Sequence, residues 1–224
     1  FGNGAVFGAL IIFTIMAISI LPFVPNVAKS NNELSSSNIF NISIGKFLFL
    51  ALVSLFLFQA ANMGVADYAF ELGKDIGLEN NKISNILTIA NIISISGGAL
   101  VYLIGTKYGR TLPLIIGIST SAIFTFLLHY SDNVSIYFIA NTFTGIAWGF
   151  TIPYILGLCS SFDTHGQMAA LAGFISKMGL ATGPLIGSLF IINSGINFII
   201  NIAVVSLCIS LIAVWLSSRA TEEN

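Results

Sequence analysis

The fold is decided by a stretch, residues 167–192, that reads QMAALAGFISKMGLATGPLIGSLFII. Lys177 is the only charged residue in it. About 20 predominantly apolar residues in a helix are enough to cross the hydrocarbon core of a bilayer. A segment in lipid must also satisfy its own backbone hydrogen bonds, which a helix does. We therefore predict that this stretch is a transmembrane helix.

The whole chain has the composition of such a segment. Of its 224 residues, 56% are apolar and only 8% are charged, with a net charge of −1, whereas soluble domains carry about 25% charged residues. This balance excludes a disordered chain and a basic nucleic-acid-binding protein. The two cysteines, Cys159 and Cys208, stand in apolar stretches and exclude a disulfide scaffold. We predict an integral membrane protein.

Seven apolar stretches are long enough to span a membrane, and they lack the polar–apolar alternation of barrel strands. They cover residues 5–24, 47–70, 83–104, 111–130, 134–159, 167–192 and 196–216. The predicted fold is therefore all-α, a polytopic bundle of membrane helices. Its parts are a first span (1–24), a Ser- and Asn-rich linker (25–46), a six-helix bundle (47–218) and a short tail (219–224).

Basic residues in the loops between spans predict the orientation, because cytoplasmic loops are enriched in Lys and Arg. Five basic residues fall on one side of the predicted topology and two on the other; they are Lys29, Lys46, Lys107, Arg110 and Arg219 against Lys74 and Lys82. We expect a multi-pass protein of the cell (cytoplasmic) membrane with its linker and C-terminus in the cytoplasm. An odd number of spans and a first residue that is Phe1 predict a further part upstream.

Sequence patterns of several enzyme classes are missing. The chain has no Gly-rich phosphate loop ending in Gly-Lys-Ser/Thr and no His-Glu-x-x-His. Its two histidines, His129 and His165, lie at a span end and in a loop. No Ser/His or Asp/Asp pair lies at membrane depth. We therefore expect no enzyme activity, no metal site and no cofactor.

The loop at residues 105–111 reads GTKYGRT. Gly109 permits a tight turn, and Lys107 and Arg110 follow the end of a helix, where cations complement the helix dipole. On these residues alone, the loop could be a simple cytoplasmic anchor.

The same loop resembles the inter-helix signature Gly-x-x-x-Asp-Arg-x-Gly-Arg of the major facilitator superfamily. Lys107 stands at the basic position and Gly109-Arg110 at the Gly-Arg, while Thr106 and Tyr102 replace the Asp and the leading Gly. The resemblance implies the C-terminal half of a secondary transporter, from the sixth helix onward. It implies alternating access, a small-molecule substrate, and an N-terminal transmembrane half and membrane lipid as partners, with no nucleic acid.

Lys177 is the one cation deep in a predicted span. It lies about 15 Å along the helix from Gln167, near the middle of a core about 30 Å thick. A charge there costs at least ~2.5 kcal/mol, so the ammonium should face protein or water. A cavity-facing Lys177 predicts an anionic group on the substrate. The alternative is a structural lysine that carbonyls or amides satisfy.

Polar residues at similar depth are the other candidates for a substrate cavity. They occur on three further spans and comprise Gln59, Asn62, Asn91, Asn141, Thr144 and Trp148. Each alone could simply bond across helices; together with Lys177 they predict a shared polar cavity.

Three glycines at intervals of four residues, Gly179, Gly183 and Gly187, allow a neighbouring helix to approach closely. Pro184 inside the same helix should bend it. Tight packing is one interpretation, and a bending point for rocking between states is the other.

Two other functional classes compete with a transporter. Seven spans also fit a receptor or retinal-type protein, although a retinal-binding lysine belongs on the last span and residues 196–216 contain none. A structural membrane protein with Lys177 merely packed is the other alternative.

Overall fold

A computed structural model describes residues 45–162 and 166–222, with a few positions between residues 8 and 19. The chain forms two units, Phe1–Ser43 and Ile44–Asn224. Most of the predicted first span (1–24) and linker (25–46) lies outside the described residues. The helices described below all belong to the second unit.

The second unit is all-helical in its described part. Six helices come first: α1 (Lys46–Ala66), α2 (Ala69–Asp75), α3 (Asn80–Ser94), α4 (Ser96–Ile104), α5 (Thr111–Leu127) and α6 (Val134–Ser160). A short 3-10 turn, Leu128–Tyr130, extends α5. A long helical stretch, Gln167–Glu222, follows.

Five helical segments of the described chain are long and apolar enough to cross a membrane. They are Lys46–Asp75, Asn80–Ile104, Thr111–Tyr130, Val134–Ser160 and Gln167–Ala220. This confirms the prediction of a helical membrane protein. The number differs from seven for two reasons: residues 5–24 lie largely outside the described part, and the last two predicted spans form one continuous helical segment.

The last segment breaks at Gly195, whose φ of 70° and ψ of 175° are non-helical. Side chains other than glycine rarely adopt such a φ. The break falls between the two predicted spans, and we name the arms α7 (residues 167–194) and α8 (residues 196–222). No other position of the segment leaves the helical region, Pro184 included, so the predicted bend at Pro184 stays a prediction.

The two arms run along α1 in opposite directions. In α7, Gly183 lies against Ala60, and the later Gly187 lies against the later Tyr68. Helix α7 therefore runs parallel to α1. In α8 the order is reversed, because Ser210 bonds to Ser54 whereas Ser217, further on, donates to the Phe47 carbonyl oxygen at 2.7 Å. The chain therefore reverses at Gly195, and both arms pack against α1.

Helix α1 is buried over most of its length, although Phe49 near its start is 58% exposed. Its covered residues include Ala51, Leu55, Phe58, Gln59 and Asn62. The other helices carry large exposed apolar side chains on their outer faces, among them Ile92, Leu103, Ile123 and Ile212. Such faces suit contact with lipid, where the exposed surface must be apolar.

Glycines set the distance between α1 and α7. A Cβ at Gly183 would meet the Ala60 carbonyl oxygen and lie 2.7 Å from the Gly64 nitrogen. A Cβ at Gly179 would lie 2.7 Å from the Phe56 carbonyl oxygen. Backbone atoms cannot move aside as a flexible side chain can, so this contact requires glycine.

We predict that Gly183→Ala destabilises the protein by about 1–3 kcal/mol, because the added methyl group forces α7 away from α1. Gly173→Ala is the matched control in the same helix, since a Cβ there meets no atom within 4 Å, and alanine favours the helix. Thermal unfolding of both purified variants in detergent is the measurement. Equal melting temperatures would show that the close contact does not exist.

Candidate functional site

A cavity of about 250 Å³ opens between α1, the start of α2, α3 and α6. Its lining combines a few polar side chains with many small and apolar ones. The lining residues are Asn62, Met63, Val65, Ala66, Ala69, Leu87, Ala90, Asn91, Leu128, Asn141, Thr144, Gly145 and Trp148.

Five predicted site residues line this one cavity. Asn62 comes from α1, Asn91 from α3, and Asn141, Thr144 and Trp148 from α6. Residues 141, 144 and 148 recur every three or four positions and so share one face of α6. The structure thus brings together side chains that the sequence placed only at similar depth.

Gln59 lies behind the cavity wall, where it joins three helices. Its side chain is 2% exposed. The Gln59 Nε2 donates to the Ser176 Oγ of α7 at 2.6 Å, and the Gln59 Oε1 accepts from the Trp148 Nε1 of α6 at 2.7 Å. These two bonds fix the Trp148 ring at the edge of the cavity.

Asn62 makes a second link between helices. Its Nδ2 donates to the Phe58 carbonyl oxygen at 2.8 Å, and its Oδ1 accepts from the Ser121 Oγ of α5 at 2.8 Å. The sequence pattern did not identify the two serine partners, Ser121 and Ser176. A serine in an apolar helix usually bonds to its own backbone, so its residue type gives no signal of a contact with another helix.

Close contact with α6 positions α3 and α4. A Cβ at Gly97 would meet the Ile146 carbonyl oxygen. The Ser94 hydroxyl donates to the Thr142 carbonyl oxygen at 3.2 Å as well as to its own helix. This contact places Asn91 beside the cavity.

Lys177 lies outside the cavity lining. Its side chain is exposed, whereas its neighbour Ser176 and the glycine at 179 are buried against α1. The bond from Ser176 to Gln59 puts Lys177 level with the middle of the Lys46–Asp75 segment. The depth of Lys177 in a membrane stays a prediction, and the described residues do not join Lys177 to the other candidates.

The loop after α4 is tied to α6. Gly105 and Gly109 have positive φ angles of 54° and 69°, and the Tyr154 hydroxyl donates to the Gly105 carbonyl oxygen at 2.8 Å. Arg110 directly precedes α5, and its Nε lies 3.9 Å from where a Cβ at Gly157 would stand. Lys107 is exposed and pairs with Gly109 in an isolated backbone bridge. The loop therefore acts as a fixed turn at one end of the bundle.

No protein-family model and no curated protein matches this sequence. Only the geometry of the cavity and of the helices around it therefore bears on the function.

We predict that Gln59 and Ser176 are energetically coupled. A double-mutant cycle of Gln59→Leu and Ser176→Ala should give a coupling energy of about 0.5–1.5 kcal/mol, the contribution of one hydrogen bond. Chemical unfolding in detergent measures it.

Ser188→Ala is the control for this cycle, because the exposed Ser188 hydroxyl donates only within its own helix, to the Leu185 carbonyl oxygen. It should combine additively with Gln59→Leu. If the destabilisations caused by Gln59→Leu and Ser176→Ala add to within about 0.3 kcal/mol, that result would contradict the Gln59–Ser176 link.

Proposed function

We propose that this chain is part of a membrane secondary transporter of the major facilitator type, which moves a small organic solute by alternating access. The cavity between α1, α3 and α6 would be part of its solute site. The observation that carries the proposal is a cavity lined by several amides inside a bundle whose outer faces are apolar. Amides in a hydrocarbon environment require partners or water.

The number of membrane crossings supports this architecture. The segment Gln167–Ala220 has 54 residues and would extend about 80 Å as a straight helix, far more than a core about 30 Å thick. With the reversal at Gly195, it supplies two crossings. The second unit then has six, with its C-terminus in the cytoplasm of the cell, and residues 5–24 would add a seventh.

Two polar positions outside the helix contacts support a second set of helices as partner. Asn91 on α3 and Lys177 on α7 are both exposed, and both belong to helices apolar enough to span a membrane. Contact with lipid would be unfavourable for either side chain. A further transmembrane half packed against α3 and α7 would cover both.

The charge of the substrate is indicated by the side chains that line the cavity. An anionic substrate was expected from a cavity-facing Lys177, but none of the described residues that line the cavity is a cation. For the same reason, the cavity provides no lysine for a retinal Schiff base. A receptor with a bound ligand remains the competing function, and it differs from a transporter in keeping its site open to one side.

We predict that Asn91→Cys reacts with a membrane-impermeant maleimide from both sides of the membrane, because alternating access exposes a solute site to each side in turn. The background is Cys159→Ala with Cys208→Ala, which removes the native cysteines. Sealed vesicles of right-side-out and inverted orientation provide the two sides.

Ile92→Cys is the matched control, since Ile92 is 62% exposed but does not line the cavity, and a side chain covered by lipid or by other helices should not react. Labelling of residue 91 from one side only would favour the receptor. Labelling from neither side would favour a structural protein.

A further inference from the structure

Asn141 and Asn91 offer hydrogen-bonding groups to the cavity that the described residues leave unused. Asn141 donates from Nδ2 to the Tyr137 carbonyl oxygen at 2.8 Å. Its Oδ1 accepts no hydrogen bond from any described residue, and the Asn91 amide bonds to none of them. Since both amides line the cavity, a solute inside it would find both donors and acceptors.

The Thr144 hydroxyl is the strongest sign of a missing partner. Its Oγ1 is buried and, within the described part of the chain, has no hydrogen-bond partner. Thr142 in the same helix donates instead to the Phe138 carbonyl oxygen at 2.8 Å, which is a common way for a helix to satisfy threonine. The buried hydroxyls of Thr125 and Thr151 are also unpaired, but neither lines the cavity.

Leaving a buried hydroxyl unpaired is unfavourable. The hydroxyl oxygen has almost no exposed surface, but Thr144 lines the cavity, so a rotation of its side chain would present the hydroxyl to a solute there. This gives the unpaired state of Thr144 a functional explanation.

Charge is absent from the cavity wall. None of the described lining residues carries a charged side chain, and the exposed Lys177 is outside the lining. A charged solute that enters a site of low dielectric without a partner loses hydration that nothing replaces. The solute that fits is therefore uncharged.

The rest of the wall is apolar. The Trp148 N–H is already donated to Gln59, so its indole offers the solute a ring surface rather than a hydrogen bond. Met63, Leu87 and Leu128 add hydrocarbon. A mostly apolar wall with a few placed polar groups is typical of sites for small organic ligands.

We propose that this cavity binds a small uncharged solute that carries hydroxyl or amide groups together with a hydrocarbon face. The polar part would bond to Thr144, Asn141 and Asn91, and the hydrocarbon face would contact Trp148 and the aliphatic wall. This proposal rests on the proposed function in taking the cavity as the solute site.

The test uses three probes of similar size that differ in charge: cyclohexanecarboxamide, cyclohexanecarboxylate and cyclohexylmethylammonium. The chain contains two tryptophans, so Trp215→Phe leaves Trp148 as the only one. In phosphatidylcholine vesicles at pH 7, the amide should change the Trp148 fluorescence saturably. Both charged probes should bind at least about tenfold more weakly, because each lacks a counter-ion.

Partition of the probes into lipid is controlled with Trp148→Phe. That variant keeps only Trp215, which lies on α8 outside the cavity lining. It should show no saturable response to the amide.

The hydroxyl is tested with a matched pair of valine substitutions in the Trp215→Phe background. Thr144→Val should raise the Kd of the amide about three- to tenfold, the effect of one lost hydrogen bond. It should leave the melting temperature unchanged or higher, because the folded protein loses no bond. Thr142→Val, whose hydroxyl bonds within α6, should leave the Kd unchanged.

Either of two results would overturn the substrate class: a charged probe that binds as tightly as the amide, or no saturable response to the amide. Equal Kd values for the two valine variants would overturn the role of Thr144. The two proposals can fail separately. Amide binding together with labelling of Asn91→Cys from one side only would support the solute site and contradict the transporter.

Discussion

The backbone contact between α1 and α7 is the interaction on which the rest of the structure depends. It exists because Gly64, Gly179 and Gly183 carry no side chains where the two helices meet. At this separation the Ser176 hydroxyl reaches Gln59 at 2.6 Å. Gln59 in turn holds Trp148 at the edge of the cavity. The shape of the cavity therefore follows from the packing of a helix that does not line it.

In lipid, these hydrogen bonds between helices contribute a large share of what holds the bundle together. Helices in a bilayer gain no hydrophobic free energy from leaving water, so close packing and hydrogen bonds between helices hold the bundle together. Ser54 and Ser210 exchange hydrogen bonds between α1 and α8, and Asn62 and Ser121 join α1 to α5. Some polar groups have no partner among the described residues: the Thr144 hydroxyl and the Asn91 amide at the cavity, and the buried hydroxyls of Thr125 and Thr151 away from it. Under the proposed function, those that line the cavity are the ones available to a solute.

The sequence predicted helices well because hydropathy determines where a chain can cross a membrane. The predicted stretch 111–130 coincides with a structural segment, and 134–159 ends one residue short of Val134–Ser160. Stretch 47–70 continues to Asp75 through a turn at Asp67 and Tyr68. Residues 5–24 lie largely outside the described chain, so that predicted span stays a prediction.

The site was harder to predict, because depth along a helix does not determine the neighbour that a residue faces. Spacing placed Asn141, Thr144 and Trp148 on one face correctly, since they share a helix. It could not show that Lys177 lies outside the cavity lining or that Ser176 bonds to Gln59. Those facts depend on which side of α7 meets α1, and only the packed structure determines that.

Disulfide trapping of α1 against α8 tests most directly that α7 and α8 run along α1 in opposite directions. Residue 210 can reach residue 54 only if the chain reverses at Gly195. Ser54→Cys with Ser210→Cys is made in the Cys159→Ala, Cys208→Ala background, with a protease site between α6 and α7. Because the two hydroxyl oxygens are 2.8 Å apart, oxidation in native membranes should keep the fragments joined after cleavage. Ser54→Cys with Ile212→Cys is the control, since Ile212 is 59% exposed on the outer side of α8, and its fragments should separate. Fragments that separate in the first pair, or that stay joined equally in both, would contradict the arrangement.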